Sequence, residues 1–231
     1  MHKFSKSEAI IFGWTEAKKR IGFFLGVLAI IILIFAGFNL IAGVLAFVLE
    51  DGFLAVLMGI IIYIVNSWVL PQILNMGYIK IGLKICDGEK PKMEDLLNCY
   101  PLFFRFIAAT ALYGTLVALG LISFVVPGVI LAVKFGYYAY FIVDKNQGVI
   151  ESLKSSSRIT MGSKWNLFLF WMLLCVINIL GLLCFVVGLI ITLPLSLIAI
   201  SYVYRRLLEH GDVDTVFGQV DKQTEMINKG S

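Results

Sequence analysis

The stretch Ile21–Leu49, IGFFLGVLAIIILIFAGFNLIAGVLAFVL, carries no charge and decides the fold class. A bilayer core about 30 Å thick is crossed by about 20 helical residues at 1.5 Å each. This run is longer than that and fits by tilting. It is preceded by Lys18-Lys19-Arg20 and followed by Glu50-Asp51-Gly52, which breaks it. The first twenty residues also hold Lys3, Lys6, Glu8 and Glu16, and the run far exceeds the apolar part of a cleavable signal. It reads as a membrane anchor.

The rest of the chain agrees. Its 231 residues are 60% hydrophobic and 15% charged, with a mean hydropathy of +0.93. A soluble domain usually carries about 25% charged residues. So much apolar surface does not fit inside one soluble core, and part of it must face lipid. Apolar stretches run from near residue 21 to near residue 204 and leave no room for a separate soluble catalytic domain. One polytopic membrane domain, 1–206, followed by a polar tail, 207–231, is expected.

The predicted fold is an all-α integral membrane protein with six transmembrane helices arranged as three hairpins. The spans fall at about 21–49, 53–76, 102–126, 129–143, 165–185 and 189–204. The second contains Pro71 beside Asn66, Ser67 and Gln72; proline is tolerated in a span because neighbours satisfy the freed backbone. Pro127-Gly128 is a strong turn dipeptide and marks the central hairpin turn. The fourth span is short, holds Lys134, and ends at Asp144-Lys145-Asn146-Gln147.

Charge sets the expected orientation. Of nineteen basic residues, all but Arg105 and Lys134 fall in the N-terminal segment, the two even-numbered loops or the C-terminal segment. The loops after helices one, three and five have none. By the positive-inside rule both termini are cytoplasmic. The net charge of +4 then reflects residues flanking spans, which argues for anionic lipid head groups as partners and against nucleic acid.

Three segments that precede outward-going helices resemble one another: Glu8–Phe24, Glu94–Phe106 and Glu151–Phe168. Each opens with an acid and closes with basic and aromatic residues. In the third, Val149, Ile150, Leu153, Ser157 and Thr160 form one expected face, with Lys154 and Arg158 on the other. Short amphipathic helices lying in the cytoplasmic interface are the expected structure.

Lys134 is the sharpest single residue, because an ionisable group inside a span is costly. It either snorkels outward to pair with Glu50 or Asp51, or lines a polar cavity with Asn66, Tyr137 and Tyr138. The long side chain and short helix favour the first. Asn39, Asn66, Gln72, Asn75 and Asn178 suit interhelical hydrogen bonds, typically worth about 0.6 kcal/mol. No carboxylate accompanies them at span centres, which counts against a proton-coupled pump. Cys86, Cys99, Cys175 and Cys184 lack the paired spacing of a zinc site and read as apolar fillers. His2 and His210 sit in opposite tails, and no Ser-His-Asp set or phosphate-binding glycine loop appears. Neither a metal, a cofactor nor catalysis is expected. Asp87, Glu89, Glu94 and Asp95 alternate with Lys84, Lys90 and Lys92 and read as a solvated loop.

Met76-Gly77-Tyr78-Ile79-Lys80, Asp87-Gly88 and Glu94-Asp95-Leu96 resemble the first cytoplasmic loop of bacterial DUF975-like proteins and of the membrane domain of glycerophosphodiester phosphodiesterases. Val125-Val126-Pro127-Gly128-Val129-Ile130 and Ile150–Ser156 are similar to the same family. So are Arg158–Gly162 with Lys164-Trp165, Gly188–Pro194, and Tyr202-Val203-Tyr204-Arg205. The resemblance spans nearly the whole chain and implies a six-helix protein of the bacterial cytoplasmic membrane. It does not imply phosphodiesterase activity, since in the fused enzymes a separate soluble barrel carries the chemistry.

The functional expectation is a non-enzymatic protein that organises lipid or a protein partner, or a further copy of itself, at the inner face. Arg158, Lys164 and Trp165 are its expected interface anchors. The alternative is a small transporter or channel whose path uses Lys134 and Asn66.

Overall fold

A computed structural model describes residues 4–48, 52–183 and 188–229, so His2, Glu50, Asp51 and Cys184 lie outside the described residues. All regular structure among them is helical. Six segments are long and apolar enough to cross a membrane: Ile21–Leu45, Val56–Cys86, Met93–Ser123, Val125–Lys145, Lys164–Leu183 and Leu189–His210. Their surfaces carry large exposed apolar side chains such as Leu33, Leu40, Trp68, Ile122 and Leu183, as a multi-pass membrane protein requires.

Helix α1, Lys6–Lys19, starts at Ser5, whose hydroxyl accepts the Glu8 N–H. It packs along α10, Leu189–Lys229. Gly13 permits this approach, because a Cβ there would lie 2.8 Å from the Leu195 carbonyl oxygen. Helix α2, Ile21–Val48, follows the Arg20 junction.

Helix α3, Phe53–Ile64, continues through a π-helical turn, Val65–Val69, into α4, Leu70–Cys86. Pro71 has no N–H for the carbonyl four residues back, that of Ser67, and the π turn sits where that bond is missing. The second span therefore runs to Cys86 instead of stopping near residue 76. Leu74, Met76, Ile79, Ile81, Leu83 and Ile85 are all buried, so packing against α10 carries the helix past Lys80 and Lys84.

Two 3-10 turns, Met93–Leu96 and Tyr100–Leu102, lead into α5, Phe103–Ser123. The acidic stretch before α5 is less solvated than its charge alternation suggests. Asp95 is 4% exposed, takes both Lys84 Nζ contacts at 2.8 and 2.9 Å, and accepts the Lys92 N–H.

Phe124, extended at φ −168, separates α5 from α6, Val125–Phe135. The chain thus turns at Phe124, ahead of the expected Pro127-Gly128. Pro127 lies in the first turn of α6, where a missing N–H costs no helical bond. Gly128 meets Leu121 and Gly120 of α5 closely enough that neither glycine position has room for a side chain.

The expected fourth span is two helices. Helix α6 stops at Phe135, and α7 resumes over Tyr138–Lys145. Helix α8, Val149–Ile159, and α9, Lys164–Leu183, complete the chain before α10. Asn178 on α9 donates to Ser196 on α10 at 2.8 Å, an interhelical bond of the kind its position suggests.

Candidate functional site

The break between α6 and α7 leaves backbone groups that helix bonding cannot satisfy, and α8 supplies what they need. The Ser156 hydroxyl donates to the Lys134 carbonyl at 3.0 Å and accepts the Tyr137 N–H at 3.1 Å. The Thr160 hydroxyl donates to the same carbonyl at 3.0 Å. Ser152, Ser156 and Thr160 recur at helical spacing on one face of α8, and all are fully buried with Leu153 and Ile159. The inward face of α8 is thus this hydroxyl stripe; Ile150, expected on it, is exposed. Gly136 leaves space at the break for the Trp171 ring of α9.

Beyond the break, α7 feeds an aromatic core. Tyr137 and Tyr204 are fully buried, with ring centroids 6.1 Å apart, and Tyr140 and Phe141 flank Tyr204 at 5.2 and 5.3 Å. The Tyr204 hydroxyl donates to Asp144 Oδ2 at 3.1 Å. Arg205 reaches the same oxygen at 2.8 Å and Asp87 Oδ2 at 2.6 Å. One guanidinium therefore ties the ends of α4 and α7 to α10. Arg105 on α5 donates to Asn146 Oδ1 at 2.9 Å, where Asn146 takes the left-handed conformation at φ 53. These ionic contacts gather at one end of the bundle. No family model, curated protein or solved structure matches this chain.

The Lys134 ammonium lies 5.1 Å from the Phe135 ring centroid and forms no ion pair among the described residues. Its expected partners Glu50 and Asp51 fall outside them. Asn66 sits in the π-helical turn, with its side-chain oxygen buried and unpartnered. That turn packs on α3 and α4, whereas α6 packs on α5, α8 and α9; no hydrogen bond joins Lys134 to Asn66.

Arg158, Lys164 and Trp165 flank the corner between α8 and α9, and all three are exposed. Trp165 is 76% exposed and Met161 beside it 62%. The turn is made at Gly162, φ +81. Two further places pair exposed aromatic and basic side chains. Helix α1 exposes Ile11, Trp14 and Lys18 at helical spacing, and the entry to α5 exposes Tyr100, Phe104 and Arg105. No group of three or more metal-ligating side chains occurs among the described residues, and Cys86, Cys99 and Cys175 are free thiols.

The hydroxyl stripe of α8 is the feature that sequence reading missed. Its signal was present in Ser152, Ser156 and Thr160 at intervals of four, a pattern that puts small hydroxyls on one helical face. The break it serves carries no proline, and Gly136, one of 21 glycines, does not set it apart in the sequence.

Proposed function

We propose that this chain is a non-enzymatic protein of the bacterial cytoplasmic membrane that collects anionic lipid around itself at the cytoplasmic face. The observation that supports it best is the thrice-repeated pairing of exposed aromatic and basic side chains. Trp14 stands with Lys18, Phe104 with Arg105, and Trp165 with Arg158 and Lys164. Aromatic rings settle at head-group level, and lysine and arginine beside them attract anionic lipid. In this reading the chain forms three antiparallel helix pairs, each preceded by an interfacial segment, with both termini cytoplasmic. The DUF975-like sequence motifs are consistent with that plan. Bound lipid, a partner protein or a second copy would assemble against these three places.

Native mass spectrometry of protein released from nanodiscs containing anionic lipid tests the proposal. Each basic residue near the surface contributes about 1 kcal/mol, so Arg158→Gln with Lys164→Gln should weaken anionic-lipid retention roughly 30-fold. Unchanged retention would overturn it. A transporter reading has one observation in its favour, the unpartnered buried oxygen of Asn66. It requires that Lys134→Ala alter a solute flux while the protein stays folded.

A further inference from the structure

A groove of about 450 Å³ lies between α2, α4 and α10, apart from those three places. Its walls are almost wholly apolar, with Phe24, Val27 and Ile31 from α2 facing Pro194 from α10. A volume of this size is that of a small-molecule site, and such sites pair apolar walls with a few polar groups that fix orientation. The polar groups here are Asn75 and Tyr78. They are three residues apart on α4, so they share a face, and neither side chain hydrogen-bonds to another described residue.

Their position gives the groove a direction. The Tyr78 ring lies 6.5 Å from that of Phe24, which sets both at the same level. Phe24 is one turn, about 5.4 Å, beyond Arg20, whose carbonyl accepts the Phe24 N–H. Lys18 and Lys19 immediately precede it, and Glu16 pairs with Lys19 and Arg20, so this junction keeps a net positive charge. From Phe24 to Phe35, the last α2 residue lining the groove, α2 rises about 17 Å, roughly half of a bilayer core. The groove is thus one leaflet deep, polar at one end, and basic just outside that end.

We propose that this groove holds one acyl chain of an anionic phospholipid. The tail lies along α2 against Pro194, and its ester carbonyl accepts hydrogen bonds from the Asn75 amide and the Tyr78 hydroxyl. The head group then faces the Lys18–Arg20 junction. Water would not stay in so apolar a space, whereas an acyl chain covers its walls and brings an ester carbonyl to the exposed Asn75 and half-buried Tyr78.

The site is separate from the α8–α9 corner, and the test keeps the two apart. The full-length protein is reconstituted with phosphatidylglycerol bearing a photoreactive diazirine on one acyl chain, irradiated and digested. Cross-links should concentrate on peptides carrying Phe24–Phe35, Leu74–Tyr78 and Leu189–Pro194, at least fivefold above those on the exposed faces of α3 and α9. Leu193→Trp should fill the groove and remove that enrichment, while Asn75→Leu with Tyr78→Phe should reduce it several-fold. Arg158→Gln with Lys164→Gln should leave it intact. Cross-links spread evenly over every lipid-facing helix would overturn the proposal. So would enrichment that survives Leu193→Trp in a protein shown to be folded. Protein–protein cross-links through the groove would mark it as a contact between copies and overturn it too.

Discussion

At the scale of single residues, Lys134 acts through a different atom from the one that makes it conspicuous. Its ammonium rests near Phe135, while its carbonyl is held by two hydroxyls of α8. Ser156→Ala removes one donor from that carbonyl and, among the described residues, the only acceptor for the Tyr137 N–H. Leaving a buried group unmet costs about 1–3 kcal/mol. Thr160→Val removes one donor and leaves Ser156 in place, so it should cost less. Ser152 bonds only within its own helix, to the Val149 carbonyl, and Ser152→Ala should cost least. Thermal unfolding in detergent micelles ranks the three, and equal effects would refute the division of labour. Lys134→Met keeps the carbonyl and should shift the midpoint little. The sequence displays side chains, so it drew attention to the charge of Lys134. A backbone carbonyl exposed by an unmarked helix break leaves no such trace, and only the spacing of the α8 hydroxyls hinted at one.

At the scale of elements, apolar run length picked out the six helices long and apolar enough to cross a membrane, but the charged ends of the helices were harder to place. Lys80 and Lys84 looked like loop residues; α4 carries both because Ile81, Leu83 and Ile85 bury alongside them and Lys84 meets Asp95. Pairing over a distance of this kind depends on the fold and cannot be read from local charge alternation. The Arg205 clamp is the same case, since Asp87 and Asp144 reach it from 118 and 61 positions away in sequence. Hydrogen bonds to charged groups contribute about 1.5–3 kcal/mol when protected. Asp144 is mostly buried and serves both Tyr204 and Arg205, whereas the Asp87 side chain is 40% exposed with a single partner. Asp144→Asn should therefore destabilise by about 2 kcal/mol and Asp87→Asn by less than 1 kcal/mol, the usual worth of an exposed pair. In Arg205→Gln, Asp87→Asn should have almost no further effect. A double-mutant cycle by thermal unfolding checks the coupling, and strict additivity would show that the guanidinium does not join the two helices.

At the scale of the whole molecule, crossing by all six apolar helices would fix one relation before any orientation is assigned: both ends of the chain on the same side. Charge then selects which side. Lys84 and Lys145 lie at the ends of α4 and α7, with Arg205 and Arg206 midway along α10, while Phe124 between α5 and α6 has no basic neighbour in its turn. Segments rich in lysine and arginine remain cytoplasmic during insertion. Single cysteines report this directly once the native cysteines are replaced. Ser7, Phe124 and Glu89 are exposed, so each accepts a probe without disturbing the core. In intact spheroplasts a membrane-impermeant maleimide should label Phe124→Cys, and should label Ser7→Cys and Glu89→Cys only after permeabilisation. The reverse pattern would invert the molecule and move the three aromatic and basic pairings to the outer leaflet, where the proposed attraction to cytoplasmic anionic lipid fails. Labelling of Ser7→Cys and Glu89→Cys from opposite sides would mean that α2 and the α3–α4 run do not both cross. The groove between α2, α4 and α10 would then have no leaflet to open into. The acyl-chain site therefore depends on the two-crossing result, whereas the choice between outer and inner leaflet depends on which side is labelled first.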